Sequence, residues 1–242
     1  MFSKLRSKQP DAPFGKLVYY ETLRWFFCLF SRIVYRSKAF DAHHVPEFGA
    51  VILAANHQSF LDPPMLTIRV PQRHLNFVAK EGLFKFKPFA IAIRGLNALP
   101  IRDDAGDVQA IKETVSRLQQ GRAILIFPEG SRCPDGAVDK FKRGTGLLIK
   151  KAKCRVVPAA IEGAFDAWPI HKALPRLFGC RVYVKYGPPI EYEELMKAGS
   201  EGAMELLRQK VDVLRRELRE QMRQDTKGRF PPKNAGDEPL RP

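Results

Sequence analysis

The sequence predicts an α/β fold: a mixed, mostly parallel sheet covered by helices, led by an N-terminal amphipathic helical segment of the membrane-interface kind. Three observations carry this. The runs Ala50–Ala55, Leu75–Ala79, Leu99–Ile101, Ala123–Phe127, Val156–Ile161 and Val182–Tyr186 are short and nearly continuously apolar, as strands covered on both faces are. Helix-forming stretches near 64–70, 84–94, 106–120 and 144–152 separate them, the alternation that a helix-covered sheet requires. And 242 residues with a 45% apolar share suffice for one sizeable core without disulfide support.

Taken in order, residues 1–15 are polar and carry Pro10 and Pro13, and read as a lead. Lys16–Arg36 follows as an aromatic-rich helix. At 100° per residue, Tyr19, Tyr20, Leu23, Phe26, Phe27, Leu29, Phe30, Ile33 and Val34 fall in one half-cylinder, with Glu21, Arg24, Arg32 and Arg36 opposite. The uncharged run Trp25–Ser31 is far short of the roughly 20 residues a spanning helix needs. Such a helix suits a membrane interface, or else docks on the core. Residues 1–40 therefore form a lead and membrane-binding helix, and 41–224 the α/β domain.

Within that domain, Val108, Ile111, Val115 and Leu118 are spaced 3, 4 and 3 apart, with Gly121 as a stop. Pro158 interrupts its strand, which points to an edge or a bulge. Over Glu201–Gln224, Ala203, Leu207, Val211, Leu214, Leu218 and Met222 make one stripe of a helix that packs on the domain. Residues 225–242, rich in Pro, Gly and charge, read as a disordered tail.

A formal charge of +15 selects for polyanions: anionic lipid headgroups, phosphorylated substrates or nucleic acid. The run Lys140–Arg155, with seven basic residues and no acidic one, concentrates it. Aromatic residues cluster with apolar helix positions and not with basic ones, which argues against a nucleic-acid stacking platform. Cys28, Cys133, Cys154 and Cys180 have no metal or disulfide spacing, and the N-terminus shows no signal-peptide pattern. No cofactor and no metal site is expected.

Chemistry concentrates in four segments. The first is Asn56-His57-Gln58-Ser59-Phe60-Leu61-Asp62-Pro63-Pro64. A continuous helix would hold His57 and Asp62 about 140° apart, so they meet only if the chain turns between them. Pro63 and Pro64 suit the opening of a helix, with Asp62 at its cap. A carboxylate there would accept the Nδ1 proton of His57 and leave Nε2 as a base. The plainer reading of the same spacing is a loop histidine beside a capping aspartate. The second segment is Phe127-Pro128-Glu129-Gly130-Ser131-Arg132, at the carboxyl end of a strand where α/β sheets collect substrate sites. The third is Gly95–Arg102, ending in a guanidinium suited to phosphate. The fourth is Val157–Gly163.

In this order the segments resemble the glycerolipid acyltransferase family, in particular the 1-acyl-glycerol-3-phosphate acyltransferases. The family's N-H-x4-D block is matched by Asn56, His57 and Asp62, and its Gly…Arg block by Gly95 and Arg102. F-P-E-G-[ST]-R is matched by Phe127–Arg132, and V-P-x-x-I by Val157, Pro158 and Ile161. The resemblance implies that His57 is the base and Asp62 its orienter. It also implies that Asn56, Arg102, Glu129, Gly130, Ser131 and Arg132 bind substrate. Asp103 and Asp104, directly after Arg102, would compete with a phosphate for it. The implied partners are a lysophospholipid acceptor, acyl-CoA or acyl carrier protein as donor, and an anionic membrane surface at the cytoplasmic face. A different lysophospholipid or a lyso-aminolipid acceptor remains the nearest alternative, and a non-catalytic binder of acidic lipid or nucleic acid the rival from another class.

Overall fold

The structure, a computed structural model, describes residues 6–9, 12–101 and 106–241. Its centre is a seven-stranded sheet in the order β1-β7-β6-β2-β5-β3-β4. The strands are β1 (Lys38–Phe40), β2 (Val51–Ala55), β3 (Leu75–Lys80), β4 (Ala98–Ile101), β5 (Ala123–Ile126), β6 (Arg155–Glu162) and β7 (Tyr183–Tyr186). From β6 through β2, β5 and β3 to β4 every pairing is parallel; β7 runs antiparallel to β6 and carries β1 alongside it. The expected mixed, mostly parallel sheet is the one found, with the six apolar runs as six of its strands. The seventh, β1, is three residues long and lacks an apolar run.

Strand β2 shows why the sheet is covered twice. Its five residues are all fully buried. Side chains alternate across a strand, so Val51, Leu53 and Ala55 enter one core and Ile52 and Ala54 the other. The first core is closed by α1 (Phe14–Val34), α2 (Asp62–Ile68), α3 (Lys87–Gly95) and α6 (Ala164–Ala167). The second is closed by α4 (Gly106–Gln119), α5 (Arg143–Ala152), α7 (Tyr192–Leu195) and α8 (Gly199–Asp225). Burying one side chain such as Leu53 contributes about 1.5–3 kcal/mol.

Helix α1 divides the aromatic sector expected for it. Tyr20 and Val34 are buried, and Leu23, Phe27 and Phe30 pack against the first core. Trp25, Phe26, Leu29 and Ile33 stay exposed, Trp25 at 65%. Glu21 and Arg24, expected on the side away from the apolar sector, are half-buried: Glu21 accepts from Lys8 and Arg24 and bonds His74 at 3.0 Å. The outward face of the helix is thus largely apolar. Among the described residues no helix is long and apolar enough to cross a membrane.

The edge position expected for Pro158 is corrected. Pro158 lies on an internal strand, in register with Ala54 of β2. Its carbonyl accepts from Gly187, and the next bridge joins Val156 to Ile190, so residues 188 and 189 stand opposite Val157 alone: the proline sits beside the bulge that the sequence offered as its other reading. Residues 226–241 fold back over α8. Asp237 pairs with Arg219 and Arg223, the Gly236 carbonyl accepts from Arg215, and the Arg241 carbonyl accepts from Arg208. Arg215 and Arg219, 1% and 3% exposed, also meet Glu162 at the end of β6. A buried ion set without these partners would cost several kcal/mol.

Candidate active site

The chain leaves β2 through Asn56 and turns sharply before α2. One carboxylate oxygen organises the turn. Asp62 Oδ2 accepts from the backbone N–H of Gln58 at 2.5 Å and of Ser59 at 2.7 Å, and lies 2.8 Å from His57 Nδ1. Asp62 is fully buried, whereas the His57 side chain keeps 18% exposure. With Nδ1 tied to a carboxylate, the tautomer that leaves Nε2 as acceptor is favoured.

Strand β5 supplies the other wall. The Phe127 ring stacks on the His57 imidazole, centroids 4.0 Å apart. Glu129 turns inward, with Oε1 accepting from the His57 backbone N–H at 2.9 Å, while its buried Oε2 has no hydrogen-bond partner among the described residues. Burial pushes its carboxyl up to about 8 despite the bond from His57, and the carboxylates of Asp139 and Asp62 push the same way. Gly130 turns with a left-handed φ of 71°, and a Cβ there would meet Lys142 Nζ at 2.7 Å, so the lysine side chain lies across the glycine. The left-handed turn favours glycine, and any larger residue would have to displace the lysine chain. Gly130 and Ser131 are exposed. The Arg132 guanidinium stacks 3.5 Å over the Phe60 ring, and its buried Nη1 has no hydrogen-bond partner among the described residues.

Of the residues singled out from the sequence, His57, Asp62, Glu129, Gly130, Ser131 and Arg132 come together here. Asn56 does not reach the substrate side. It is fully buried, and its side-chain amide donates to the Ile161 carbonyl and accepts from the Ile161 N–H at 2.9 Å each, clamping β2 to β6. Ile161 and Val157 are core residues. Gly95 closes α3 against α1: a Cβ there would meet Tyr19 Cε1 at 2.3 Å. Arg102, with Asp103 and Asp104, lies outside the described residues. Cys133 is buried, its thiol pushed up to about 12 by burial and by the Asp135 carboxylate it bonds, so it supplies no thiolate.

Several contributors had no visible signal in the sequence. The Cys133 N–H donates to the His57 carbonyl at 2.7 Å, and Gln58 Nε2 donates to the Gly136 carbonyl at 3.0 Å, so the 133–139 loop braces the histidine from behind. Phe60 and Phe127 serve as platforms for Arg132 and His57, which aromatic identity alone does not reveal. Lys142 was one cation within a basic run. Among the described residues no group of three His, Cys, Asp or Glu side chains is placed to hold a metal ion.

Comparison with known proteins gives the family of the chain. The family model described as Acyltransferase matches residues 37–162, from β1 to the end of β6. The 1-acyl-sn-glycerol-3-phosphate acyltransferase of Streptococcus pneumoniae is 30% identical over 152 residues, 62% of this chain and 54% of that protein. The chloroplastic enzyme LPAT1 of Arabidopsis thaliana is 29% identical over 120 residues, 49% of this chain and 33% of its own length. The chain thus spans between about a third and a half of these relatives. The crystal structure of the 1-acyl-sn-glycerophosphate (LPA) acyltransferase PlsC from Thermotoga maritima superposes with a TM-score of 0.65 at 27% identity, covering 82% of this chain and 80% of that one. The family match takes in the His57 turn, the Glu129 wall and the strands that hold them, and the chain belongs to the Acyltransferase family.

Proposed function

We propose that the protein transfers a fatty acyl group from acyl-CoA or acyl carrier protein to the sn-2 hydroxyl of 1-acyl-glycerol-3-phosphate, yielding phosphatidic acid. The observation that carries this reading is the pairing of His57 Nδ1 with the buried Asp62 carboxylate beside an arginine whose Nη1 is unfilled. His57 Nε2 takes the hydroxyl proton as the oxygen attacks the thioester carbonyl. The new oxygen–carbon bond forms, the carbon–sulfur bond breaks, and the proton passes to the departing thiolate. General-base help of this kind is worth about 10²–10⁴ in rate. Arg132, stacked and rigid on Phe60, offers its Nη1 to the acceptor phosphate, with Lys142 at Gly130 as a second cation. Glu129 serves as a positioning residue for the His57 main chain.

The relatives named as acting on 1-acyl-glycerol-3-phosphate support the choice of acceptor. An anionic membrane surface is the proposed place of action, at its cytoplasmic face, approached through the apolar outward face of α1 under a net charge of +15.

The test is thiol release from acyl-CoA and from acyl carrier protein thioester, with and without lysophosphatidic acid, in wild type and His57→Ala. Release that requires the acceptor and disappears in the variant supports the reading. Acceptor-independent release that still needs His57 would indicate hydrolysis, and release with another lysolipid would change the acceptor. No release with either donor across a lysolipid panel would sink the catalytic reading.

A further inference from the structure

The segment joining α6 to β7, residues 168–182, is fixed at its base and bare at its tip. Trp168 anchors one end: its carbonyl accepts from Ser59 Oγ in the His57 turn at 2.8 Å, and its ring lies 5.3 Å from Phe60, the platform under Arg132. The Arg176 N–H donates to the Ala167 carbonyl at 2.7 Å, and the Val182 N–H donates to the Tyr35 carbonyl just past α1. This loop is therefore attached both to the site and to the end of the helix whose outward face is apolar.

Between these anchors stand Ile170, Leu174, Leu177 and Phe178, exposed at 41%, 80%, 52% and 59%. Among the described large apolar side chains Leu174 is the most exposed. Single exposed apolar residues are ordinary, but four within nine positions are not. Phe178 adds a second, independent sign. Its φ of 65° is left-handed, as is that of Gly179 at 69°. A bulky aromatic in this conformation is strained, and such strain collects at functional positions. Here it holds a phenyl ring out into solvent. Interleaved with these side chains are Lys172, Arg176 and Arg181, and the segment has no acidic residue.

We propose that residues 168–182 form a second lipid-docking element, which seats Leu174, Leu177 and Phe178 among the acyl chains of an anionic bilayer while Lys172 and Arg176 meet its headgroups. This rests on the membrane-surface reading above and extends it to a loop that borders the catalytic turn. Alternating apolar and cationic side chains, each separately exposed, suit a fluid phase that fits itself around them. A folded protein partner would need a matching preformed surface. With the site's own neighbour in the interface, the acceptor would pass from the bilayer to Arg132 without crossing water.

The experiment uses the full chain and vesicles of equal parts phosphatidylglycerol and phosphatidylcholine. Wild type, Leu174→Ser/Phe178→Ser and, separately, Trp25→Ser/Phe26→Ser are co-sedimented, with thermal unfolding followed for each. The loop variant is expected to partition roughly tenfold more weakly with unchanged unfolding. Its turnover of a monomeric short-chain acceptor should stay within about twofold of wild type. A Leu174→Trp variant should shift its emission to the blue on vesicle addition and be quenched by acyl-chain-brominated lipid. Undiminished partition of the loop variant together with an unshifted Leu174→Trp spectrum overturns the proposal while leaving the α1 reading intact. Wild type that never sediments with vesicles overturns both. Normal partition combined with lost turnover on acyl carrier protein thioester alone would assign the loop to the protein donor instead, and refute lipid docking.

Discussion

Replacing Asp62 by asparagine isolates the charge of the dyad from its geometry. All three bonds to the Asp62 side chain converge on Oδ2, while Oδ1 is buried without a partner among the described residues. An asparagine oxygen can take the Oδ2 place, keep the Gln58 and Ser59 N–H bonds, and still accept from His57 Nδ1. The amide NH2 then occupies the empty Oδ1 place. What disappears is the negative charge that favours an imidazolium. Two unit charges about 4 Å apart attract by about 4 kcal/mol at the effective dielectric of such sites. If half of the proton has moved in the transition state, about 2 kcal/mol is lost, or roughly 30-fold in rate. The unpaired amide costs a further 1–3 kcal/mol of stability, roughly, lowering Tm by about 2–4 °C per kcal/mol. The assay is kcat/KM for acyl transfer in wild type, Asp62→Asn, His57→Ala and the double variant. Under the proposed mechanism Asp62 acts through the imidazole, so adding Asp62→Asn to His57→Ala should cost nothing more. Additive losses, or an Asp62→Asn variant as inactive as His57→Ala, would refute the reasoning.

Three other perturbations follow from the same structure. Glu129 holds its proton to about pH 8 when folded but ionises near 4.5 when exposed. Its contribution to stability is therefore full below pH 4.5 and declines as pH rises through that window to about 8. Glu129→Gln should flatten this decline by up to about 5 kcal/mol in urea unfolding curves, and keep more activity than Glu129→Ala; an unchanged pH slope would show that the carboxyl is not its source. Gly95→Val should lower stability by about 1–3 kcal/mol as the new side chain meets Tyr19 and Leu23 of α1, read as a drop in Tm; an unchanged Tm would mean that α1 shifts at no cost. Asp237→Ala removes a carboxylate from Arg219 and Arg223 and should cost about 1–3 kcal/mol while making residues 226–241 open to limited proteolysis; a protected tail would deny the ion pairs their holding role.

What the sequence revealed follows from what local patterns can encode. The core strands were legible because a strand covered on both faces must be apolar at every position, as Val51–Ala55 is. The stripe from Ala203 to Met222 was legible because one helix face meets one sheet face, and all six of its residues are buried. The turn from His57 to Asp62 was legible because two prolines leave few conformations for the residues before them. Partnerships distant in sequence were not. Asn56 looked like a site residue beside His57, but its partner is Ile161, 105 residues away. The contacts of the tail were hidden in the same way: Asp237 meets Arg219 and Arg223 of α8, and Arg241 meets Asp135. The polar side of α1 was misjudged for a similar reason: Glu21 faces His74 from another element.

The order in which the polypeptide is made gives the folded-back tail a meaning in time. The wall behind His57 includes the Gly136 carbonyl, which Gln58 grips from the front. Gly236 abuts the same carbonyl from behind, and Arg241 pairs with Asp135 in the same loop. Those last supports leave the ribosome on the order of ten seconds or more after the histidine does. Until then the catalytic turn exists, but the loop behind it hangs unsupported on one side. Contacts spanning so much of the sequence also form late in folding. A nascent chain would thus carry the residues of its candidate site before it carries their full support. Maturation of the site would coincide with completion of the fold and not with emergence of the motif.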